Sequence, residues 1–331
     1  MGYLRLALAL LVLFSHADGR VAGANPGVAA VIGFYLISGY VMAGLVQRHY
    51  ASVQHIGLFY ADRALRLFPQ YLFYAGVTLA WQLGTGGTTL FLAHAPAVTD
   101  LLNNLLVIPL NYYMVNGADR YTLIPPAWSL GAELQFYIVA PLMLLVPRLG
   151  VALGLASLVV HVLAWHGELN TDWFGYRLLP GVLWVFAIGM AYFHLQRKNM
   201  ALAALLACIA PVLALLVYLY LRVRGLHVLP YNTEVLVGWG GGLLLLHLCS
   251  RVRPHAMEGV AGDLSYGVFL NHFLIMWLLP WPSTGSPAYW AALATLSVAA
   301  SWVTQRYIER PALAKRHRLR LRACKRADAG L

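Results

Sequence analysis

Apolar runs of about 20 residues follow one another along almost the whole chain, and charge is confined largely to the short stretches between them. About 20 apolar residues in a helix are what a bilayer's hydrocarbon layer requires. Ten such runs are delimited, at 4–20, 27–47, 67–84, 127–147, 149–166, 178–195, 201–221, 234–250, 260–280 and 288–308. The chain is 60% hydrophobic and only 11% charged, where soluble domains carry roughly a quarter charged residues. The expected fold is all-α, a polytopic membrane helix bundle of about ten transmembrane helices. A separate soluble catalytic domain has no room in 331 residues.

The net charge of +11 could suggest nucleic acid, but its placement argues otherwise. With ten spans and an inside N-terminus, 18 of the 23 Lys and Arg residues face the cytoplasm and 5 face outward. That is the positive-inside bias, and it predicts that both termini are cytoplasmic. The run 101–115 is interrupted by Asn103, Asn104, Pro109 and Asn111. It is expected to be re-entrant or interfacial, because an eleventh span would place the basic C-terminus outside. Residues 1–310 are expected to form the membrane domain and 311–331 a basic cytoplasmic tail that anchors topology and touches anionic lipid headgroups. Cys208, Cys249 and Cys324 lack metal-ligand spacing, so neither a disulfide nor a metal site is expected. Arg5, the apolar stretch 6–14 and the small residues at 21–24 resemble a secretory signal, but His16 has no place in a signal's apolar region.

Ionisable residues inside these runs are the first candidates for chemistry, because a charge facing lipid is costly. Arg5 and His16 lie at opposite ends of the first run. A helix separates them by about 16 Å along its axis. A neutral imidazole there serves either as a general base or as a helix-end hydrogen-bonding group. Glu133, in Trp128-Ser129-Leu130-Gly131-Ala132-Glu133, lies in the outer half of the fourth span. It is either an orienting partner for an imidazole or a buried carboxylate satisfied by Ser129, Gln135 or another helix. Arg63 and Arg66, placed in the loop before the third span, are three residues apart and share a helix face. They suit phosphate contact, or are ordinary positive-inside charge. Tyr266 and His272 lie on different faces of the ninth span, where packing hydrogen bonds are the alternative. Gly27, Gly33, Ser38 and Gly39 mark a tight helix contact. The stretch 84–87 is a turn rather than a phosphate loop, and no Gly-x-Ser-x-Gly elbow occurs.

In this order the pieces resemble the acyltransferase 3 family of bacterial membrane O-acyltransferases. Arg5 and His16 match its Arg-x10-His motif, and Phe34-Tyr35-Leu36-Ile37-Ser38-Gly39-Tyr40 resembles its second-helix segment. Arg63-Ala64-Leu65-Arg66 with Pro69 resembles its Arg-x-x-Arg loop. Trp128-Ser129-Leu130 through Glu133 and Tyr137 is similar to its Trp-Ser-Leu-x-x-Glu helix. Ser265-Tyr266 to His272, and Glu309-Arg310-Pro311, are similar to its last two signatures. Three positions depart from the pattern and bear on substrate type. Gly2-Tyr3-Leu4 stands before Arg5 where an acidic residue is usual, Ile32 replaces a frequent Asp, and Phe269 replaces a tyrosine.

The resemblance implies a multi-pass enzyme of the bacterial inner membrane, of the stand-alone type without an extracytoplasmic esterase-like domain. It would transfer an acyl group, acetyl in the simplest case, from acyl-CoA to a hydroxyl of a carbohydrate or glycoconjugate. It implies His16 as the catalytic residue, with Glu133 beside it in role. Arg63, Arg66 and Arg5 would bind the donor. Trp128, Ser129, Tyr137, Ser38, Tyr266 and His272 would be further site or packing residues. The partners expected are the glycan acceptor and the lipid bilayer, with no nucleic acid. A transporter or flippase for a glycolipid or export intermediate is the rival reading of ten helices with buried polar groups.

Overall fold

The computed structural model describes residues 1–252, 255–280 and 285–315. Among the described residues the chain is helical throughout its ordered elements, and isolated bridges are its only β pairing. The helices are α1 (Gly2–His16), α2 (Pro26–His49), α3 (Ile56–Thr85), α4 (Val98–Leu106), α5 (Tyr113–Asn116), α6 (Ala127–Leu145), α7 (Pro147–Trp165), α8 (Leu179–Lys198), α9 (Met200–Val223), α10 (Asn232–Arg251), α11 (Ala256–Leu278) and α12 (Pro287–Thr304). A helix therefore stands at each of the ten apolar runs. Among the described residues, six helical segments are long and apolar enough to cross a membrane: α2, α6, α7, α9, α10 and the segment Trp173–Lys198 that contains α8. Most of the basic tail, residues 316–331, lies outside the described residues.

The run 101–115 does not form a spanning helix. α4 has nine residues, about 13 Å of rise, and the chain breaks at Val107, whose φ is 67°. Two of the asparagines that interrupt the run, Asn104 and Asn111, act as brackets. Asn104 Nδ2 donates to the carbonyls of Asp100 (2.9 Å) and Tyr121 (3.0 Å), and its Oδ1 accepts from Leu123 N (2.8 Å). Asn111 Nδ2 donates to the Trp128 carbonyl at 3.1 Å. One expectation is corrected here. Arg63 and Arg66 do not lie in a loop, because α3 begins at Ile56, well before the third apolar run, and carries both of them. Gly86, at φ 65°, ends that helix in a turn.

The chain divides into two compact units, residues 1–48 with 139–265, and residues 49–138 with 266–331. In the first, α2 is the central helix and small residues set its contacts. At Gly39 an added Cβ would strike the backbone of Phe186 on α8, and at Gly189 it would strike the Leu36 carbonyl of α2. The two backbones approach so closely that only glycine fits either position, as in lipid-embedded helix pairs. Tyr35 stacks on Phe186 beside this crossing, with ring centroids 4.5 Å apart. Gly33 receives the Leu8 side chain of α1, and Gly27 faces Ser15. The expected tight contact is thus present at Gly27, Gly33 and Gly39. Ile32 is fully buried and packs against Gly238 of α10.

The outer surface shows why these helices suit lipid. On α9 the buried side chains are Ala203, Ala207, Ala210, Ala214 and Leu221. Leu205, Leu206, Val212, Leu213, Leu215, Leu216 and Leu219 of the same helix are exposed. A helix in water buries its large apolar residues; this one keeps small residues inside and turns the large ones out. Substituting Gly39 by leucine should cost about 1–3 kcal/mol by overpacking. It should lower the thermal midpoint of the detergent-purified protein, followed by size-exclusion fluorescence. Gly76→Ala, where an added Cβ meets nothing within 4 Å, should leave the midpoint unchanged.

Candidate active site

α3 carries a polar side chain at every fourth position: Asp62, Arg66, Gln70, Tyr74, Thr78 and Gln82, all buried. Each step of four advances about 40° around the axis, so the stripe winds slowly about the helix as it rises about 30 Å over 20 residues. Leu72, Phe73, Val77 and Leu83 of the same helix are exposed. α3 thus buries a winding line of polar side chains while carrying exposed apolar ones.

At one end of this stripe ionised groups are compensated inside the second unit. Asp62 is 0% exposed and accepts from Arg63, with Nε at 3.0 Å. Arg66 pairs with Glu309, which is 1% exposed. Glu309 comes from a π-helical turn, Gln305–Glu309, that follows α12 and packs on α3. The wider turn re-aims side chains, and π-turns recur at functional sites. Two aromatic rings flank the arginines. The Arg63 guanidinium lies 5.9 Å from the Tyr137 ring centroid and that of Arg66 lies 5.5 Å from the Tyr266 centroid.

From Tyr137 the connection continues to Glu133, whose Oε1 accepts the Tyr137 hydroxyl at 2.5 Å. Asp62, Arg63, Tyr137 and Glu133 thus form one chain of charge-assisted contacts. Tyr266 donates to the Leu67 carbonyl at 3.0 Å, which ties α11 to α3 beside the Arg66–Glu309 pair. The other candidates of this unit have structural partners. Ser129 Oγ donates to the Pro126 carbonyl (3.0 Å) at the start of α6, and the partly buried Trp128 offers its carbonyl to Asn111. His272 is 0% exposed, with Nδ1 donating to the Val268 carbonyl at 3.0 Å.

In the other unit, Arg5 and His16 sit on the single unbroken helix α1, His16 as its last helical residue, and both are partly exposed. The chain turns directly afterwards: Ala17 N donates to the Leu13 carbonyl (3.1 Å), and Arg20 Nη1 donates to the carbonyls of Ser15 (3.1 Å) and Gly19 (2.9 Å). This fixes the end of α1 where the imidazole emerges. Ser38 is buried within α2.

The far end of the α3 stripe is closed by the segment before α6. Gln82 Nε2 donates to the His94 carbonyl at 3.1 Å, and its Oε1 accepts the Tyr121 hydroxyl at 2.5 Å. Burial, with the Asp100 carboxylate nearby, pushes the Tyr121 phenol up to about 12. It stays protonated and keeps donating at neutral pH.

Sequence reasoning did not single out Asp62 or the stripe, and it treated Glu309 only as part of a closing signature. The detectable signal was the four-residue recurrence of polar residues running from Asp62 into an otherwise apolar run. A polar face on a membrane helix has to point inward.

An all-helical chain with lipid-compatible outer faces and buried ion pairs is an integral membrane protein with a polar interior. Residues 1–306 match the model of an acyltransferase domain, acyltransferase 3. The chain belongs to this family and is an acyltransferase, which decides against the transporter reading. An uncharacterized protein of Aquifex aeolicus (strain VF5) is 32% identical, over 54% of this chain and 79% of its own. Nodulation protein 10 of Rhizobium leguminosarum bv. viciae is 26% identical, over 94% of this chain and 92% of its own. The exopolysaccharide production protein ExoZ of Rhizobium meliloti (strain 1021) is 29% identical, over 79% of this chain and 80% of its own. No solved structure matches.

Removing one member of a buried ion pair strands the other charge, at about 3–5 kcal/mol. Arg66→Ala should therefore lower thermal stability sharply. Arg66→Met combined with Glu309→Gln should recover most of that loss. A double variant no more stable than Arg66→Ala would show that the pair does not neutralise the site.

Proposed function

We propose that this protein is an O-acyltransferase of the bacterial inner membrane that moves an acyl group, acetyl in the simplest case, from acyl-CoA to a hydroxyl of a polysaccharide or other glycoconjugate. The observation that carries this reading is the pair of buried arginines, Arg63 and Arg66, held by Asp62 and Glu309 on the inward face of α3 in a chain of the acyltransferase family. The production of an exopolysaccharide, for which one relative is named, supports a carbohydrate acceptor.

In this reading CoA enters from the cytoplasm and its phosphates engage the guanidiniums of Arg63 and Arg66, with Arg5 assisting. Guanidinium forks suit phosphate oxygens. The carboxylates hold the forks in place before the donor arrives, and the aromatic faces of Tyr137 and Tyr266 fix their planes. His16 acts as general base. It takes the proton of the acceptor hydroxyl as the oxygen attacks the thioester carbonyl; the C–S bond then breaks, and the imidazolium returns a proton to the departing thiolate. The same ring can instead take the acyl group first and pass it on. Glu133, which accepts the Tyr137 hydroxyl, is the second residue assigned to this chemistry, as orienter or proton partner. Trp128, Ser129, Ser38 and His272 shape the site by packing.

The topology that goes with this reading has ten spans, both termini in the cytoplasm, residues 1–310 as the catalytic membrane domain and 311–331 as its basic tail. The excess of Lys and Arg in the loops assigned to the inner side supports it. Fusions of a reporter active only in the periplasm should be silent after residue 315 and active when inserted near Arg224; the reverse pattern would overturn this topology.

The direct test uses purified protein in lipid nanodiscs with radiolabelled acetyl-CoA and glycan fractions. Label should pass to the glycan, and His16→Ala should reduce transfer by at least about a hundredfold, the contribution of a general base, with an unchanged thermal midpoint. Undiminished turnover in His16→Ala would remove the proposed catalyst. Acid-quenched wild-type protein given donor alone separates the two chemical routes: protein-bound label indicates acyl-histidine, and its absence indicates direct attack.

A further inference from the structure

Beyond the arginines, the stripe of α3 enters a neutral polar network whose hydrogen-bonding polarity is one-sided. The Thr304 hydroxyl is positioned to donate to the Ala300 carbonyl at 3.1 Å. Its oxygen then accepts from Gln70 Nε2 (3.1 Å) and from the Tyr74 hydroxyl (2.9 Å). The Tyr74 oxygen in turn accepts from Asn271 Nδ2 at 3.1 Å, and the same amide nitrogen donates to the Ser297 carbonyl at 2.9 Å. These bonds fix the Asn271 amide, since both of its partners on the nitrogen side accept. Among the described residues, three oxygens of this network have no partner: Gln70 Oε1, Asn271 Oδ1 and Ser297 Oγ. Their residues are 1%, 0% and 0% exposed.

Buried amide oxygens without donors are costly and rare. Two of them beside a buried hydroxyl, in one connected network, describe a surface that receives N–H or O–H groups. The position of the network narrows the choice. Gln70 is about one helical turn beyond Arg66 and Tyr74 about two, roughly 6 and 12 Å further along the winding stripe. Whatever reaches these oxygens from the arginine end is long, uncharged at this level and rich in donors.

Building on the reading that the donor is acyl-CoA, we propose that Gln70, Asn271 and Ser297 receive the amide N–H groups of its pantetheine arm. The arm's two secondary amides supply N–H donors spaced along a flexible, neutral chain that begins at the nucleotide phosphates. The network then selects the donor by its linker as well as by its nucleotide, and it draws the thioester into the protein interior. Water supplies the same donor chemistry, and the experiment separates the two sources.

The test uses the full-length purified protein and three donors: acetyl-CoA and two analogues in which one or the other pantetheine amide is replaced by an ester, exchanging N–H for oxygen. With wild type, at least one ester analogue should show a KM about tenfold higher than acetyl-CoA at similar kcat, the loss expected for one buried hydrogen bond. In Gln70→Met and Asn271→Met, amide and ester donors should become equivalent, which general damage to the fold would not produce. Wild-type protein that uses all three donors with the same KM would overturn the proposal without any variant having to fold, and would assign the oxygens to water. If acetyl-CoA is neither bound nor consumed while 3′,5′-ADP also fails to compete, the donor reading itself is wrong and this inference goes with it. Inhibition by 3′,5′-ADP together with indifference to the ester substitution would leave the donor reading standing and refute only the role of the network.

Discussion

Ionised side chains buried on one helix of a lipid-facing protein set the terms for the rest of this structure. Asp62, Arg63, Arg66 and Glu309 are all less than a tenth exposed. Removing such groups from water costs several kcal/mol per ion unless a partner sits in good geometry. Each carboxylate here has an arginine, and each arginine lies over an aromatic ring. The π-helical turn after α12 is where Glu309 is presented, so a local departure from α-helical geometry serves the electrostatics of α3. Along α3 the charge at one end leads into amides and hydroxyls further along.

Small residues allow the packing that surrounds such groups. In the first unit the α2–α8 crossing rests on Gly39 and Gly189, and α10 contributes Gly238 and Gly240 at its contacts with α2 and α9. Lipid offers no hydrophobic drive for helices to associate, so close backbone approach and shape are what hold them. The alanine stripe of α9 does the same work while its leucines face outward.

Much of this was legible in the sequence. The apolar runs located the helices, because their length and composition leave one physical solution in lipid. The asparagines and proline of 101–115 correctly spoke against another span, and Asn104 and Asn111 prove to be hydrogen-bonding brackets. The arginine signature drew attention to Arg63 and Arg66 but misplaced them in a loop, since the polar residues at the start of α3 hide its continuation on a hydropathy reading. Asp62 escaped notice for a related reason: a lone carboxylate beside two arginines reads as surface charge until burial is known. The Arg66–Glu309 pair joins residues more than 240 positions apart, and no periodicity within a helix announces such a contact.

The claim that unites these observations is that the polar interior serves acyl transfer to a glycan. Mass spectrometry of surface glycans from cells with and without the gene tests it most directly, since it reads acyl group and acceptor together. The account predicts a glycan species that carries an acyl-sized mass increment only when the gene is present and that returns on complementation. Identical glycan acylation in the two strains, with the protein verified in the membrane of the first, would contradict it.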